Sequence, residues 1–214
     1  RDTHILADEF LYTKASFPEC HSATIAETKN GDLVATYFGG TKERNPDVCI
    51  WVSRKPKGSS NWTLPQMVAD GVMNDSVRKA CWNPVVYQIP GGDLVLYFKI
   101  GSKVSDWTGW MVRSKDGGKT WSKRMPLQQD FLGPVKNKPV LRKGRLIAPT
   151  SIESDGWRLY FEYSDDMGKT WKRTPYVATD SIMQDGKMRI RDLAIQPTII
   201  FLSDGRLAAL ARTR

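Results

Sequence analysis

The chain carries two copies of one octapeptide, SKDGGKTW at residues 114–121 and SDDMGKTW at residues 164–171. Both copies follow the pattern Ser-x-Asp-x-Gly-x-Thr-Trp. The Asp accepts hydrogen bonds from turn N–H groups, the Gly permits a positive φ angle, and the Trp anchors the turn. A less complete copy extends from Ser53 to Trp62. The octapeptide therefore predicts a repeated structural turn, whose Asp residues are not expected to be catalytic.

A second repeat consists of Gly, then Asp or Arg, then Leu and further apolar residues. Its four copies begin at Gly31, Gly92, Gly144 and Gly205. Short segments rich in β-branched and aromatic residues surround each copy, and we find no capped segment with helical periodicity. Each copy is therefore predicted to be the hairpin turn that joins the first two strands of a four-stranded unit.

Antiparallel four-stranded units that recur every 50 to 60 residues are typical of β-propeller blades. The sequence thus predicts an all-β fold, a six-bladed β-propeller of which this chain covers about three and a half blades. The expected divisions are an N-terminal arm (residues 1–18) and blades at residues 19–75, 76–130, 131–185 and 186–214, the last incomplete. A six-bladed ring needs roughly 300 residues, so we expect propeller segments outside this chain to close the ring.

The amino-acid composition limits which classes of binding partner are expected. The 214 residues carry a net charge of +9, the mean hydropathy is −0.44, and the apolar runs are too short to span a bilayer. Because the basic residues are scattered singly, we expect an acidic glycan or sugar carboxylate as partner, and neither nucleic acid nor a membrane. We expect no cofactor or metal, since no such motif is present. The three Cys residues are expected to be buried thiols without disulfides. The compartment stays open, with a secreted or periplasmic location favoured.

The repeat also predicts where a site would lie. In each unit the start of the first strand lies beside the end of the second, on one face of the ring. At these positions the side chains are mostly polar and differ between units, as an asymmetric ligand site requires. The alternative is that they are ordinary strand-end residues facing water. The first-strand positions are Ser22, Asn83, Lys138 and Gln196, and the second-strand positions are Phe38, Lys99, Ser151 and Arg212. The predicted substrate-binding residues among them are Asn83, Lys99, Lys138, Gln196 and Arg212.

Two residues are predicted to be catalytic. His21, at the head of the first strand, has the right intrinsic pKa for a general acid or base. Asp47 lies in the following loop, where it could exchange protons or hold Arg44, which is itself a predicted substrate ligand. Other candidates are weaker: Glu162 is a third-strand carboxylate, and Trp82, Trp107 and Trp157 suit either sugar stacking or the core.

In phase with the predicted blades, the octapeptides resemble the Asp-box (BNR) repeats of the sialidase, or neuraminidase, superfamily. The resemblance implies three arginines that bind a substrate carboxylate, an Asp acid/base, and a Tyr nucleophile paired with a Glu. Arg212 resembles the second arginine, Asp47 the acid/base, and Arg44 an arginine of the same loop. Two positions depart from the family: residues 19–21 replace an Arg-Ile-Pro, and Gln196 replaces the Glu. The third arginine and the Tyr would follow residue 214.

Three functions are compatible with these residues. The first is an exo-acting, sialidase-like glycoside hydrolase on an acidic glycan, using Asp47 with assistance from His21. The second is a polysaccharide lyase or rhamnosidase-like enzyme on uronate-containing glycans, in which His21 removes a proton beside a neutralised carboxylate. The third is a glycan-binding propeller without catalytic activity.

Overall fold

A computed structural model describes residue 5 and residues 7–154, 156–177, 181–190 and 193–213. In these residues the fold is all-β, with one short 3₁₀ turn at Val104–Asp106, and it forms three four-stranded antiparallel sheets followed by two hairpins. The first sheet contains β1 (Glu19–Glu27), β2 (Leu33–Gly40), β3 (Cys49–Lys55) and β4 (Gln66–Ala69). The second contains β5 (Ala80–Gln88), β6 (Leu94–Gly101), β7 (Thr108–Ser114) and β8 (Met125–Pro126). The third contains β9 (Val140–Arg142), β10 (Arg145–Ile152), β11 (Arg158–Ser164) and β12 (Lys172–Arg173).

The remaining strands form two separate hairpins. One pairs β13 (Ser181–Gln184) with β14 (Lys187–Ile190), and the other pairs β15 (Ala194–Phe201) with β16 (Leu207–Thr213). The first of these hairpins was not predicted, and it lies across the expected boundary between the third and fourth units. The predicted four-stranded antiparallel units are confirmed for the three complete sheets, which gives the chain a propeller-like architecture.

Apolar side chains hold neighbouring sheets together. One buried cluster joins the first two sheets and includes Val34, Phe38, Ile50, Val86 and Leu96. A second cluster joins the second and third sheets through residues such as Tyr97, Leu146 and Trp171. Because neighbouring sheets bury apolar side chains against one another, the contacts are those of stacked repeats.

The two octapeptides form the turns that follow β7 and β11, as their composition predicts. In the first, Asp116 accepts hydrogen bonds from the backbone N–H groups of Lys119 (3.1 Å) and Thr120 (2.9 Å) and from the Thr120 hydroxyl (2.6 Å). These bonds, with that of the Ser114 hydroxyl, lower the pKa of Asp116 to about 2. Gly118 has a φ of 84°. Each of these polar groups serves the turn itself, so the role is structural.

The incomplete copy after β3 keeps the turn but uses a different carboxylate. Asp32, from the β1–β2 hairpin, accepts the backbone N–H of Lys57 at 2.8 Å and a charge-assisted hydrogen bond from Arg54 at 2.7 Å. The backbone N–H of Lys57, with Arg54, holds the pKa of Asp32 below its ordinary value despite burial. In this turn a carboxylate from the β1–β2 hairpin of the same sheet thus accepts the turn N–H, as the octapeptide Asp does in the other two turns.

The expectation of three buried thiols is wrong for one of them. Cys49 and Cys81 are buried and Cys20 is exposed, and none forms a disulfide. Cys20 lies at the start of the edge strand β1, where it accepts a hydrogen bond from the Tyr12 hydroxyl at 3.1 Å. An edge strand has no hydrogen-bonded strand on its outer side, and at its start Cys20 is left exposed, so an apolar run did not guarantee burial here.

Candidate functional site

Polar residues of the sheets gather at one edge, which we call the head edge, where the first strand of a sheet begins and the second ends. In the first sheet His21 pairs with Phe38, in the second Trp82 pairs with Lys99, and in the last hairpin Ile195 pairs with Arg212. The predicted alignment of strand starts with strand ends is therefore confirmed in these three units.

Each of these three first strands has a β-bulge at the same place. The register shifts between His21 and Thr24, between Trp82 and Val85, and between Ile195 and Thr198. The residue that follows the pairing residue has a positive φ in all three cases. These bulge residues are Ser22 (58°), Asn83 (39°) and Gln196 (57°). Non-glycine residues adopt this conformation at an energetic cost, and bulges of this kind re-aim side chains.

The bulge residues have unused hydrogen-bonding groups. The Ser22 hydroxyl is buried and has no partner among the described residues. The side-chain amides of Asn83, which is buried, and Gln196, which is half-buried, likewise bond to no other described residue. Three equivalent strained positions therefore carry three different polar groups with free donors or acceptors, as a site for a polar ligand requires.

Hydrogen bonds between sheets bring the bulges together. The Thr24 hydroxyl donates to the carbonyl of Pro84 (3.2 Å) and accepts from the N–H of Val86 (3.1 Å). The Gln196 N–H donates to the Ser151 hydroxyl at 3.1 Å. The Asn137 amide donates to the carbonyl of Gln196 at 2.8 Å. These bonds join the first sheet to the second at the head edge, and they join the third sheet to the last hairpin there.

The third sheet departs from the predicted register. Its first strand β9 begins only at Val140, and the positive φ falls on Lys136 (99°) rather than on Lys138. Lys138 is exposed and bonds to no other described residue. The half-buried Lys136 ammonium instead donates to the Ala23 carbonyl of the first sheet at 3.4 Å, and burial lowers the pKa of Lys136. Lys136, not Lys138, therefore brings a cation to the bulges.

His21 is paired with an acid that the sequence analysis did not single out. The His21 Nδ1 atom lies 2.9 Å from Glu43 Oε2, and the imidazole packs edge-on against Phe38 with ring centroids 5.5 Å apart. The His21 side chain is 69% exposed. A carboxylate on Nδ1 orients the ring and leaves Nε2 free to exchange a proton with a ligand.

The Asp47 side chain hydrogen-bonds within its own loop. Its carboxylate accepts the Thr41 N–H at 2.8 Å and the Thr41 hydroxyl at 2.9 Å. Burial works to raise the pKa of Asp47, but the Thr41 hydrogen bonds, together with the charge of Arg78, outweigh it and lower the pKa. The alternative in which Asp47 holds Arg44 is not seen: Arg44 is exposed, with a positive φ of 80°. Arg78 of the linker between the first two sheets is the cation near Asp47.

Lys99 lies inside the protein rather than on an open surface. The side chain is fully buried, and the ammonium donates to the Pro134 carbonyl at 2.9 Å. Burial lowers the pKa of Lys99 to about 7, against the opposing charge of Glu162. Glu162 is also buried and accepts the N–H groups of Leu132 (2.9 Å) and Gly133 (2.7 Å). Burial raises the pKa of Glu162 to about 7, although these hydrogen bonds oppose the shift.

Lys99 and Glu162 therefore hold one segment from two sides. Together they fix the backbone of residues 132–134, which ends two residues before Lys136. They are positioned to support the head edge, and their burial disfavours direct contact with a ligand.

The predicted tryptophans divide between core and surface. Trp82 is buried and donates to the Gly101 carbonyl at 2.8 Å, so it belongs to the core. Trp107 is half-buried, with its ring centroid 5.6 Å from that of Trp82. Trp157 carries the guanidinium of the exposed Arg212 over its ring at 4.9 Å. Arg212 is thus held on an aromatic face at the head edge.

Three residues of this region escaped sequence analysis: Glu43, Arg78 and Lys136. Glu43 lies in the same loop as the predicted site residues Arg44 and Asp47, so its position in the sequence could have suggested it as a site residue. Arg78 and Lys136 lie in linkers between sheets, where no repeat register exists to align them. In the described part of the chain, no group of three or more His, Cys, Asp or Glu residues is arranged to hold a metal ion, and no helix is long and apolar enough to cross a membrane.

A family model described as a BNR repeat-like domain matches residues 31–214. The chain belongs to this family. The resemblance drawn from the octapeptides is therefore confirmed at the level of the family. A comparison with curated proteins finds no match.

Solved structures extend the likeness of this BNR repeat-like chain to its fold. A protein of unknown function from Dyadobacter fermentans has a TM-score of 0.69 at 17% identity, over 95% of this chain and 64% of the other. A sialidase from Trypanosoma rangeli, in a covalent complex with 2,3-difluorosialic acid, has a TM-score of 0.65 at 18% identity, over 94% and 35%. A GH93 α-L-arabinofuranosidase of Fusarium graminearum with arabinobiose has a TM-score of 0.61 at 16% identity, over 91% and 56%.

The BNR repeat-like chain thus spans between about one third and two thirds of the length of these structures. At such identities the likeness concerns the fold, which is shared by enzymes that act on different sugars.

Proposed function

We propose that this protein is an exo-acting glycoside hydrolase for acidic glycans. The observation that carries the proposal is the His21–Glu43 pair, 2.9 Å apart at the head edge and in the same strand–loop unit as Asp47. Membership of the BNR repeat-like family and the fold shared with glycoside hydrolases support it. We also propose that the sheets are blades of a six-bladed ring completed by segments outside this chain.

The two catalytic groups have complementary protonation tasks. Asp47 is ionised at neutral pH, like any carboxylate of ordinary or lowered pKa, and so it can serve as the base; each of its oxygens accepts a hydrogen bond from Thr41 and keeps a further lone pair. His21, when protonated and oriented by Glu43, serves as the acid. Asp47 takes a proton from water as the water oxygen bonds to the anomeric carbon. The glycosidic C–O bond breaks, and His21 protonates the leaving oxygen.

The ligand's carboxylate is assigned to the cations of the head edge. Lys136 offers a half-buried ammonium next to the bulges, and Arg212 offers a guanidinium held on Trp157. The Asn83 and Gln196 amides are free to bond sugar hydroxyls. A basic site of this kind, in a chain of net charge +9, selects an anionic sugar over a neutral one.

A second reaction is favoured by one observation. Both oxygens of Asp47 accept a hydrogen bond from Thr41, which makes the carboxylate a weaker base, whereas His21 is exposed and oriented by Glu43. In the lyase alternative, His21 removes the proton beside a uronate carboxylate that Lys136 neutralises. The electron pair forms a carbon–carbon double bond as the glycosidic oxygen leaves, and that oxygen takes a proton from water.

One screen separates these functions. The full-length protein is incubated with sialosides and with uronate-capped and rhamnose-capped oligosaccharides, and the products are followed by mass spectrometry and ultraviolet absorbance. Release of a sugar with the mass of water added supports hydrolysis. An unsaturated, ultraviolet-absorbing product supports elimination and overturns the hydrolase assignment. Binding without turnover overturns both and leaves a glycan-binding propeller.

A further inference from the structure

A groove of about 730 Å³ separates the second and third sheets. Its walls come from residues 104–110, from the linker at residues 126–132, and from the facing side of the third sheet, including Tyr160, Arg173 and Tyr176. The loop between β6 and β7 and the linker after β8 both belong to the head edge. The groove therefore opens on the same side as the proposed site, and its volume is within the range of small-molecule sites.

A row of aromatic rings leads from His21 into this groove. Centroid distances are 5.5 Å from His21 to Phe38, 6.1 Å from Phe38 to Trp82 and 5.6 Å from Trp82 to Trp107. Trp107 lines the groove, as does Trp110. Because Phe38 and Trp82 are buried, the row connects the two places through the core, and it shows that the groove lies next to the head edge on the side of the second sheet.

The lining combines aromatic rings with free polar groups. Half-buried Trp107 offers an aromatic surface suited to the C–H face of a sugar ring, and so do the faces of Trp110 and Tyr176 that Arg124 and Arg158 do not cover. Arg173 is exposed and forms no ion pair with any residue that the structure describes. It pairs across the sheet with Glu162, whose side chain bonds the linker, so Arg173 lies on the side of the third sheet that faces the groove.

The wall of the groove is preformed. Glu162 fixes Leu132 and Gly133, and Lys99 fixes Pro134, at the end of the linker that lines the groove. On the other side of this linker Gln128 accepts the Trp171 N–H at 3.1 Å. A wall anchored at several points loses little entropy when a ligand binds.

We propose that this groove binds the sugar units that follow the terminal unit of an acidic oligosaccharide, with Arg173 pairing with the carboxylate of a second acidic unit. This inference rests on the proposed function, because it assumes that the terminal unit lies beside His21. It adds that the protein recognises an extended acidic chain rather than a single capped sugar.

The test measures affinity and turnover against chain length. Uronate-containing oligosaccharides of two to six units and the matching monosaccharide are titrated into the full-length protein by calorimetry, in parallel with turnover assays. The wild type is expected to bind the longer chains more tightly. Arg173→Gln and Tyr176→Ala, at exposed positions, are each expected to lose about tenfold in affinity for the longest chain, with the loss growing with length. Arg206→Ala, an exposed Arg on the distant β15–β16 turn, is the matched control.

The outcomes are distinguishable. Tighter binding with length, lost in both variants but without turnover, supports the groove and overturns the hydrolase. If the wild type turns over these substrates but its affinity does not depend on chain length, the groove proposal is overturned and the hydrolase proposal stands. The same holds if the enzyme turns over its substrates and the variants lose as much affinity for the monosaccharide as for the longest chain. A wild type that neither binds nor cleaves any member of the series overturns both.

Discussion

The octapeptide turns and the bulges both recur from sheet to sheet, but they recur differently. In the turns, backbone and side chains repeat together: Asp116 and Asp166 make the same bonds to the residues three and four positions later. In the bulges only the backbone repeats, and Ser22, Asn83 and Gln196 carry different groups. Where backbone and side chains both repeat, the role is structural; where only the backbone repeats and the polar side chains differ, the positions have the features that the proposed site requires.

The largest expected effect is on catalysis at the head edge. His21→Ala is expected to lower kcat by about 10²–10⁴-fold, because it removes the proton donor. The melting temperature should not change, since His21 is exposed. Kinetics on the best substrate and circular dichroism measure the two quantities, with Arg206→Ala as control. Unchanged turnover in His21→Ala would show that the acid is another group.

The support beneath the head edge is expected to dominate stability. Glu162→Ala removes the acceptor of two backbone N–H groups and the carboxyl that acts electrostatically on Lys99, at a cost of about 1–3 kcal/mol. Glu162→Gln keeps an acceptor oxygen and should cost less, and adding Lys99→Met to Glu162→Ala should recover part of the loss. Urea unfolding measures all four proteins. Equal costs for Ala and Gln would mean that anchoring of residues 132–133 does not matter.

The same carboxyl predicts a pH dependence. Its pKa is about 7 in the folded protein against an ordinary 4.5, so the folded state binds more protons between these values. The contribution of Glu162 to stability is therefore complete below about pH 4.5 and is lost as the pH rises to about 7. The free energy of unfolding of the wild type, compared with Glu162→Gln across this range, should show the fall only in the wild type. Parallel curves would contradict the assignment.

At the turns, side-chain loss is expected to have a moderate effect. Asp116→Ala leaves two turn N–H groups without their acceptor and should cost about 1–2 kcal/mol, by analogy with helix caps. Asp166→Ala and Asp32→Ala should change the melting temperature in the same direction without altering kcat. A turn variant that lost activity while remaining folded would place an octapeptide Asp in the site and break the comparison.

The smallest effect tests the strain at the bulges. Ser22→Gly removes a Cβ atom from a positive-φ position and a buried hydroxyl without a partner, so stability should rise by about 1 kcal/mol. Ser53, in extended strand β3, bonds the Tyr37 hydroxyl at 2.8 Å, so Ser53→Gly should instead lower stability. Chemical denaturation measures both. A loss of stability in Ser22→Gly would show that its conformation is not strained.

Local signals determined how much could be predicted. The turns and hairpins follow from Gly, Asp and Trp at fixed spacings, and the alignment of strand starts with strand ends follows from antiparallel pairing. The repeat register predicted that Lys138 reaches the bulges, but Lys136 does so instead. This could not be predicted, because β9 has only three residues and the repeat register therefore does not extend to the linker before it. Lys99 was expected at an open surface, but its long side chain reaches a carbonyl of the next linker, a contact 35 residues away.

The substitution of Asp32 for a missing octapeptide acid has a consequence for how such chains are recognised. Any carboxylate that reaches the N–H groups of the turn preserves it, so natural variation can erase the eight-letter signature while the blade persists. Counting octapeptides therefore underestimates the number of four-stranded units. A more reliable count identifies, for each turn, the carboxylate that accepts its N–H groups, whichever hairpin supplies that carboxylate.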